Sequence, residues 1–127
     1  RSARHIDAEG LQVSNIECLA GALAGSGEIA GVTRLVDGFR LPDCGFEHRR
    51  LVKGDSISAA VAAASIVAIV SRDRCMANAG VRYPDYGFEK HKGYASEAHR
   101  EAIARHGPSA IHRLSFNSAA YAGAGNG

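Results

Sequence analysis

The sequence lacks the features that would place it in a membrane, an export pathway or a disulfide-stabilised class. It has no apolar run of about 18 residues, the least that a membrane helix needs, and no secretory signal peptide. Its cysteines, Cys18, Cys44 and Cys75, are odd in number and have no C-x-x-C spacing. That pattern argues against a zinc site and a disulfide framework. We therefore expect reduced thiols, a cytoplasmic location and no membrane partner.

The charge balance is also weak, because the net charge is only +2. Residues 72–127 hold 8 Lys/Arg against 5 Asp/Glu, whereas residues 1–71 hold 7 against 8. A mildly basic second half suits a phosphate-rich partner, but a solvated surface of mixed charge explains it equally well. The length of 127 residues, with 46% apolar and 22% charged residues, is typical of one globular domain or part of one.

The most informative stretch is residues 52–74. It opens with Lys53, Gly54 and Asp55 and then runs through Ala59 to Val70 with Ser65 as its one polar residue. This apolar run is too short to cross a membrane. A helix that is apolar nearly all round is typically buried. The stretch therefore predicts a buried helix with Asp55 just before its start.

The rest of the chain alternates short strands with helices. Apolar spacing predicts a helix over residues 13–23 capped by Ser14 or Asn15, and a helix over residues 96–105 capped by Ser96. Short strands are expected over residues 31–36, ending at Asp37, and over residues 50–53, ending at Gly54 and Asp55. Residues 1–10 show no periodicity, and residues 119–127 are expected to be a flexible tail. This alternation predicts an α/β layer architecture.

Two carboxylates, Asp37 and Asp55, close the two predicted strands. Ligands of open α/β sheets gather at the carboxyl ends of strands, and two acids held there repel unless a cation lies between them. Carboxylate oxygens suit hard cations such as Mg²⁺. The alternative is that Asp37 caps a turn before Gly38 and Asp55 caps a helix. Spacing alone favours this capping interpretation.

Several motifs in order resemble one family, the type 2 ribonucleases H, or ribonuclease HII. The resemblance covers about residues 11–118, and one position departs from it, because Ile69 stands where the family usually has Lys. The matching segments are V-K-G-D at 52–55, A-A-S-I-V-A at 63–68, R-D-R at 72–74, Y-P-D-Y-G-F-E-K-H-K-G-Y at 83–94 and G-P-S-A-I-H-R-L-S-F at 107–116.

The resemblance implies a ribonuclease H-like layer fold, with an incomplete sheet flanked by helices and a helical C-terminal part. Residues 11–82 would form part of the core and residues 83–118 the substrate-binding part. It also implies that Asp37 and Asp55 are catalytic metal ligands, so the resemblance favours the metal-site interpretation over the capping interpretation that spacing favours. Tyr94 would pack on a deoxyribose. Lys53 would either contact a phosphate or pair with a carboxylate, and both readings stay open.

The implied activity is endonucleolytic hydrolysis of RNA in RNA–DNA hybrids and at ribonucleotides embedded in duplex DNA. It would proceed by two-metal catalysis with Mg²⁺ or Mn²⁺, in a family whose members are monomers. The family's first strand, D-E-x-G-R-G, has no counterpart here, since the segment from Asp7 to Gly10 lacks adjacent acids and a Gly-Arg-Gly. We therefore expect only part of the domain, carrying two of four catalytic carboxylates. A non-catalytic nucleic-acid-binding fragment and an interaction scaffold remain the alternatives.

Overall fold

The computed structural model describes residues 1–27, 29–41 and 44–116, so the tail expected at residues 119–127 lies outside the described residues. The chain divides into two compact units. The first unit is Arg1 with Glu9–Val67, and the second unit is Ser2–Ala8 with Ala68–Gly127. Across the described part, no helix combines the length and apolar character needed to cross a membrane.

The protein is of the α/β class, mostly helical with a small parallel sheet, as the sequence predicted. The elements in chain order are α1 Ala3–Glu9, α2 Leu11–Gly25, β1 Leu35–Asp37, β2 Arg49–Leu51, α3 Gly54–Ile57, α4 Ala59–Arg82, a 3₁₀ helix Pro84–Tyr86, α5 Phe88–His91 and α6 Glu97–His106.

The sheet of the first unit consists of β1 and β2, which pair in parallel with Val36 opposite Arg50. Val36 is buried with Leu23 of α2 and Leu41, and this cluster forms the unit's apolar core. Both strands are shorter than predicted. The chain turns into the left-handed region at Gly31 and at Lys53, so neither residue can extend a strand.

Helix α2 contains the predicted residues 13–23, but its predicted caps are wrong. The helix begins at Leu11, and Gly10 is its N-cap. Ser14 therefore lies inside the first turn, where its hydroxyl donates to the Gly10 carbonyl over 2.9 Å. A Ser hydroxyl can satisfy a helix carbonyl as readily as it caps a helix start, so residue type alone did not fix the first residue.

Helix α4 follows the short helix α3, but the prediction that it is buried is wrong. Val61 is 9% exposed, whereas Ile66 and Val67 are 63% and 65% exposed. Apolar periodicity describes only the helix itself. Burial also requires a neighbour on each apolar face, and the described residues bury Val61 near the start of this helix and Gly80 near its end, but not its middle.

The second unit is built around a cluster of Tyr86, Phe88 and Ile103. The rings of Tyr86 and Phe88 stack with centroids 5.4 Å apart, and the Tyr86 hydroxyl donates to the Gly107 carbonyl over 2.7 Å. Ser96 caps α6 as predicted, because its hydroxyl oxygen accepts the His99 backbone N–H over 3.2 Å. These contacts fix the loop between α5 and α6, which carries Tyr94.

Candidate active site

Asp37 is the last residue of β1, as the sequence predicted. Its Oδ1 accepts the backbone N–H of Gly54 over 2.8 Å. The next residue, Gly38, has φ 75° and donates its N–H to the Leu51 carbonyl over 2.7 Å. The carboxylate of Asp37 is therefore held against the start of α3, next to Asp55.

Gly54 makes this approach possible because it has no side chain. A Cβ at this position would lie 3.2 Å from Asp37 Oδ1, 3.2 Å from Leu51 Cβ and 3.2 Å from Val61 Cγ1. These separations are tighter than ordinary van der Waals contact. The glycine of the K-G-D motif thus allows the β1 carboxylate to reach the backbone of α3.

Asp55 lies in the first turn of α3 and not at the end of a strand, which corrects the predicted boundary. The extended chain ends at Leu51, and the left-handed turn at Lys53 (φ 55°, ψ 48°) starts the helix. Asp55 Oδ1 accepts the Ser56 backbone N–H over 2.9 Å. Asp55 is exposed, as is Asp37.

Lys53 is exposed and makes no ion pair within the described residues. Pairing with a carboxylate and contact with a phosphate both stay predictions. Asp73, by contrast, is ion-paired, with 3.1 Å between Arg72 Nη1 and Asp73 Oδ1. It lies inside α4 and not at the helix end.

Asp37 and Asp55 are the carboxylates that could hold a hard divalent cation. Their Oδ2 atoms accept no hydrogen bond from a described residue, so each offers a charged oxygen. Mg²⁺ is commonly bound by one or two carboxylates, with water and substrate phosphate as its other ligands. No group of three or more His, Cys, Asp or Glu side chains suited to a metal occurs among the described residues. The predicted full ligand set is therefore not assembled by this part of the chain.

Tyr94, in the second unit, presents its ring to solvent and is 65% exposed. The guanidinium carbon of Arg72 lies 4.4 Å from the ring centroid, and Arg72 Nη2 donates to the Lys92 carbonyl over 2.8 Å. Lys92 and Gly93 have φ 53° and 80°, which gives the tight turn before the tyrosine. The tight turn thus fixes the backbone of Tyr94 and the Arg72 guanidinium contacts its ring, while most of the ring surface stays accessible.

A network of three histidines supports this loop, and the sequence did not reveal it. His99 Nδ1 bonds the Tyr94 carbonyl over 2.9 Å, and His99 Nε2 lies 3.0 Å from His112 Nε2. His112 Nδ1 accepts the Ser109 N–H over 2.9 Å, and the rings of His91 and His99 stack with centroids 4.3 Å apart. Spacing along the chain gives no sign of such contacts.

The direction of the hydrogen bonds identifies the protonation state. The Ser109 N–H requires an unprotonated Nδ1 on His112, so the His112 proton is on Nε2 and is donated to His99. His99 then donates from Nδ1 to the Tyr94 carbonyl. Burial lowers the pKa of His99, although the hydrogen bond to Tyr94 opposes it. Burial is the main cause that lowers the pKa of His112, and repulsion from a protonated His99 is the second.

Comparison of the sequence with known proteins identifies the family of this chain. The sequence profile described as Ribonuclease HII matches residues 2–119. The chain belongs to the ribonuclease HII family. It is 46% identical over 114 residues to the ribonuclease HII of Mycobacteroides abscessus, covering 90% of this chain and 48% of that protein. It is 47% identical over 116 residues to that of Sinorhizobium fredii, covering 91% and 50%.

A match over fewer residues has a higher identity. Over 82 residues the chain is 55% identical to the ribonuclease HII of Shewanella piezotolerans, which covers 65% of this chain and 41% of that protein. The chain thus spans about half the length of the curated relatives it matches. Family membership is consistent with the ribonuclease H-like fold expected from the motifs. The roles of Asp37, Asp55, Lys53 and Tyr94 stay predictions.

Proposed function

We propose that this chain carries part of the active site of an endonuclease that cleaves RNA in RNA–DNA hybrids and at ribonucleotides embedded in duplex DNA. The observation that carries the proposal is the contact between the Asp37 carboxylate and the Gly54 N–H, within a ribonuclease HII family member. That contact brings the acid of β1 beside the acid that follows Gly54.

In this proposal Asp37 and Asp55 would hold Mg²⁺ or Mn²⁺. When bound, such ions supply an activated water and stabilise charge on the leaving oxygen, and the family resemblance favours two of them. The Gly54 N–H keeps Asp37 oriented before the ion arrives, so little order is lost on binding. Lys53, one residue before Gly54, would contact a phosphate of the bound strand.

Tyr94 would supply substrate discrimination. Its accessible ring offers a flat apolar surface to a deoxyribose, and the 2′-hydroxyl is the group that distinguishes a ribonucleotide. A non-catalytic nucleic-acid-binding role is the second candidate. It is favoured by the fact that the described residues bring together two acids and no third metal-binding side chain.

The test has a binding arm and a cleavage arm. Mn²⁺ affinity of the 127-residue chain, measured by titration calorimetry, should fall in Asp37→Asn and in Asp55→Asn. It should be unchanged in Glu101→Gln, which removes an exposed acid from α6. Unchanged affinity in both aspartate variants would overturn the acidic site.

The cleavage arm uses a DNA duplex with one ribonucleotide, with Mg²⁺ and with Mn²⁺. The chain should nick it poorly or not at all, because two of the four carboxylates implied by the family resemblance have no counterpart here. Duplex binding without nicking would support the non-catalytic candidate. Strong nicking that survives Asp37→Asn would contradict the roles proposed for both acids.

A further inference from the structure

An open groove of about 830 Å³ lies within the first unit, and its walls are rich in arginine. Its lining includes Arg34, Arg40, Arg49 and Arg50, against one acidic residue, Glu47. The arginines come from the segments before β1, after β1 and within β2. Like charges brought together from separate segments repel one another, so such an arrangement is best stabilised by an anion.

Two of these arginines are fixed in the fold. Arg34 Nε donates to the Ser26 hydroxyl over 3.3 Å, and its guanidinium lies 5.2 Å from the ring centroid of Phe46. Arg50 Nε donates to the Gly38 carbonyl over 3.1 Å. Gly38 follows Asp37 directly, so Arg50 connects the groove to the proposed acidic site.

The other two are available to a ligand. Arg40 and Arg49 are exposed, and neither guanidinium forms a hydrogen bond or ion pair with another described residue. A guanidinium presents a planar set of donors that matches two oxygens of a phosphate. An open groove, unlike an enclosed cavity, also lets a polymer enter and leave along its length.

We propose that this groove binds the phosphodiester backbone of a nucleic acid strand, through Arg40 and Arg49. The proposal extends the proposed function, since it names a path for the substrate beyond the acidic site. Phosphates repeat along a strand, so an open groove whose arginines come from several segments can contact more than one of them.

The test measures the salt dependence of duplex binding by fluorescence anisotropy, in EDTA so that no cleavage occurs. The ligand is a DNA duplex with one ribonucleotide, and the variant is Arg40→Gln/Arg49→Gln. The control is Arg4→Gln/Arg105→Gln, which removes the same charge from exposed positions on α1 and α6. Circular dichroism and thermal midpoints check that both double variants fold.

Each phosphate contact contributes about −0.9 to the slope of log K against log salt concentration, so two lost contacts should flatten it by about 1.8. The affinity ratio of wild type to variant should then shrink roughly 12-fold on going from about 50 to 200 mM salt. The control should keep the wild-type slope.

An unchanged slope in Arg40→Gln/Arg49→Gln, or equal flattening in both double variants, would overturn the proposal. Displacement of the duplex by millimolar inorganic phosphate would assign the groove to a small anion. Equal displacement by an acidic peptide would assign it to a protein partner. This measurement needs neither metal nor catalysis. The groove proposal can therefore fail while the proposed function holds, and the proposed function can fail while the groove proposal holds.

Discussion

Tyr94 shows how one residue can be rigid and accessible together. Its carbonyl receives the His99 Nδ1 hydrogen bond, and its own N–H donates to the His91 carbonyl over 2.9 Å. The restraint therefore acts on the backbone and leaves the ring exposed. Tyr86 is the opposite case, with a buried ring and a bonded hydroxyl. Tyr86 is thus a packed core residue, whereas Tyr94 is not.

Replacing Tyr94 should separate binding from stability. Tyr94→Ala should change the free energy of unfolding by less than about 0.5 kcal/mol, because the ring is exposed. It should also weaken binding of the ribonucleotide-containing duplex. Phe88→Ala, which empties a buried site, should cost about 3–5 kcal/mol. Chemical denaturation and anisotropy on the same samples check this. A large loss of stability in Tyr94→Ala with unchanged binding would make Tyr94 a core residue.

Two glycines provide a matched test of the acidic site. Gly54→Ala should destabilise the protein by about 1–3 kcal/mol, since its Cβ meets Asp37 Oδ1 at 3.2 Å in a packed environment. Gly21→Ala, in α2 with no atom within 4 Å of the added Cβ, should stabilise by about 0.5–1 kcal/mol. Denaturation midpoints measure both. Equal effects at the two positions would show that Gly54 does not control the approach of Asp37.

At the scale of elements, local patterns were predictable and distant contacts were not. The Ser96 cap and the end of β1 at Asp37 depend on a few consecutive residues, and both appear as expected. Helix α1 was missed, although Asp7 holds it in place. Asp7 Oδ1 accepts the Ser115 hydroxyl over 2.6 Å and the Ser115 N–H over 2.9 Å. These partners lie 108 residues along the chain, beyond the reach of any local pattern.

The candidate site divides in the same way. A pattern of apolar runs ending in acids led to Asp37 and Asp55, and the Asp37 carboxylate accepts the backbone N–H of Gly54, the residue before Asp55. The histidine network joins residues 13 apart through a turn and a helix end. The sequence motifs contain His91 and His112 but not His99, and only the folded chain shows that the three rings meet.

Helix α4 allows the effect of burial to be tested with one residue type. Val61→Ala should cost about 1–2 kcal/mol, at about 0.8 kcal/mol for each buried carbon removed. Val67→Ala should be neutral or slightly stabilising, because the side chain is exposed and alanine favours helix. Urea denaturation of the two variants measures the difference. A cost at Val67 equal to that at Val61 would show that the exposed face is covered in solution.

For the whole molecule, the buried histidines predict how stability depends on pH. Both have a pKa below the ordinary 6.5, so the unfolded chain takes up protons before the folded chain does. The folded state is therefore favoured fully above about pH 6.5, and its stability falls as the pH drops through the lowered folded-state values.

Tm should accordingly fall between about pH 7 and pH 5, a window in which unperturbed carboxylates, with a pKa near 4, change little. His99→Asn, which keeps a donor near the Tyr94 carbonyl and cannot titrate, should flatten this dependence. His106→Gln, at an exposed position, should leave it unchanged. A Tm that is constant or rises on acidification would contradict the neutral network.

Lys53 combines a strained backbone conformation with a predicted phosphate contact, so we expect it to lower stability while favouring duplex binding. Its left-handed backbone would cost a glycine nothing, but costs a residue with a Cβ about 1–2 kcal/mol. Lys53→Gly should therefore raise Tm slightly while weakening duplex binding, and a loss of both would contradict this view. Lys53→Gly would thus give a more stable protein that lacks the cation at this position. The phosphate contact proposed for Lys53 would therefore come at a small cost in the free energy of unfolding.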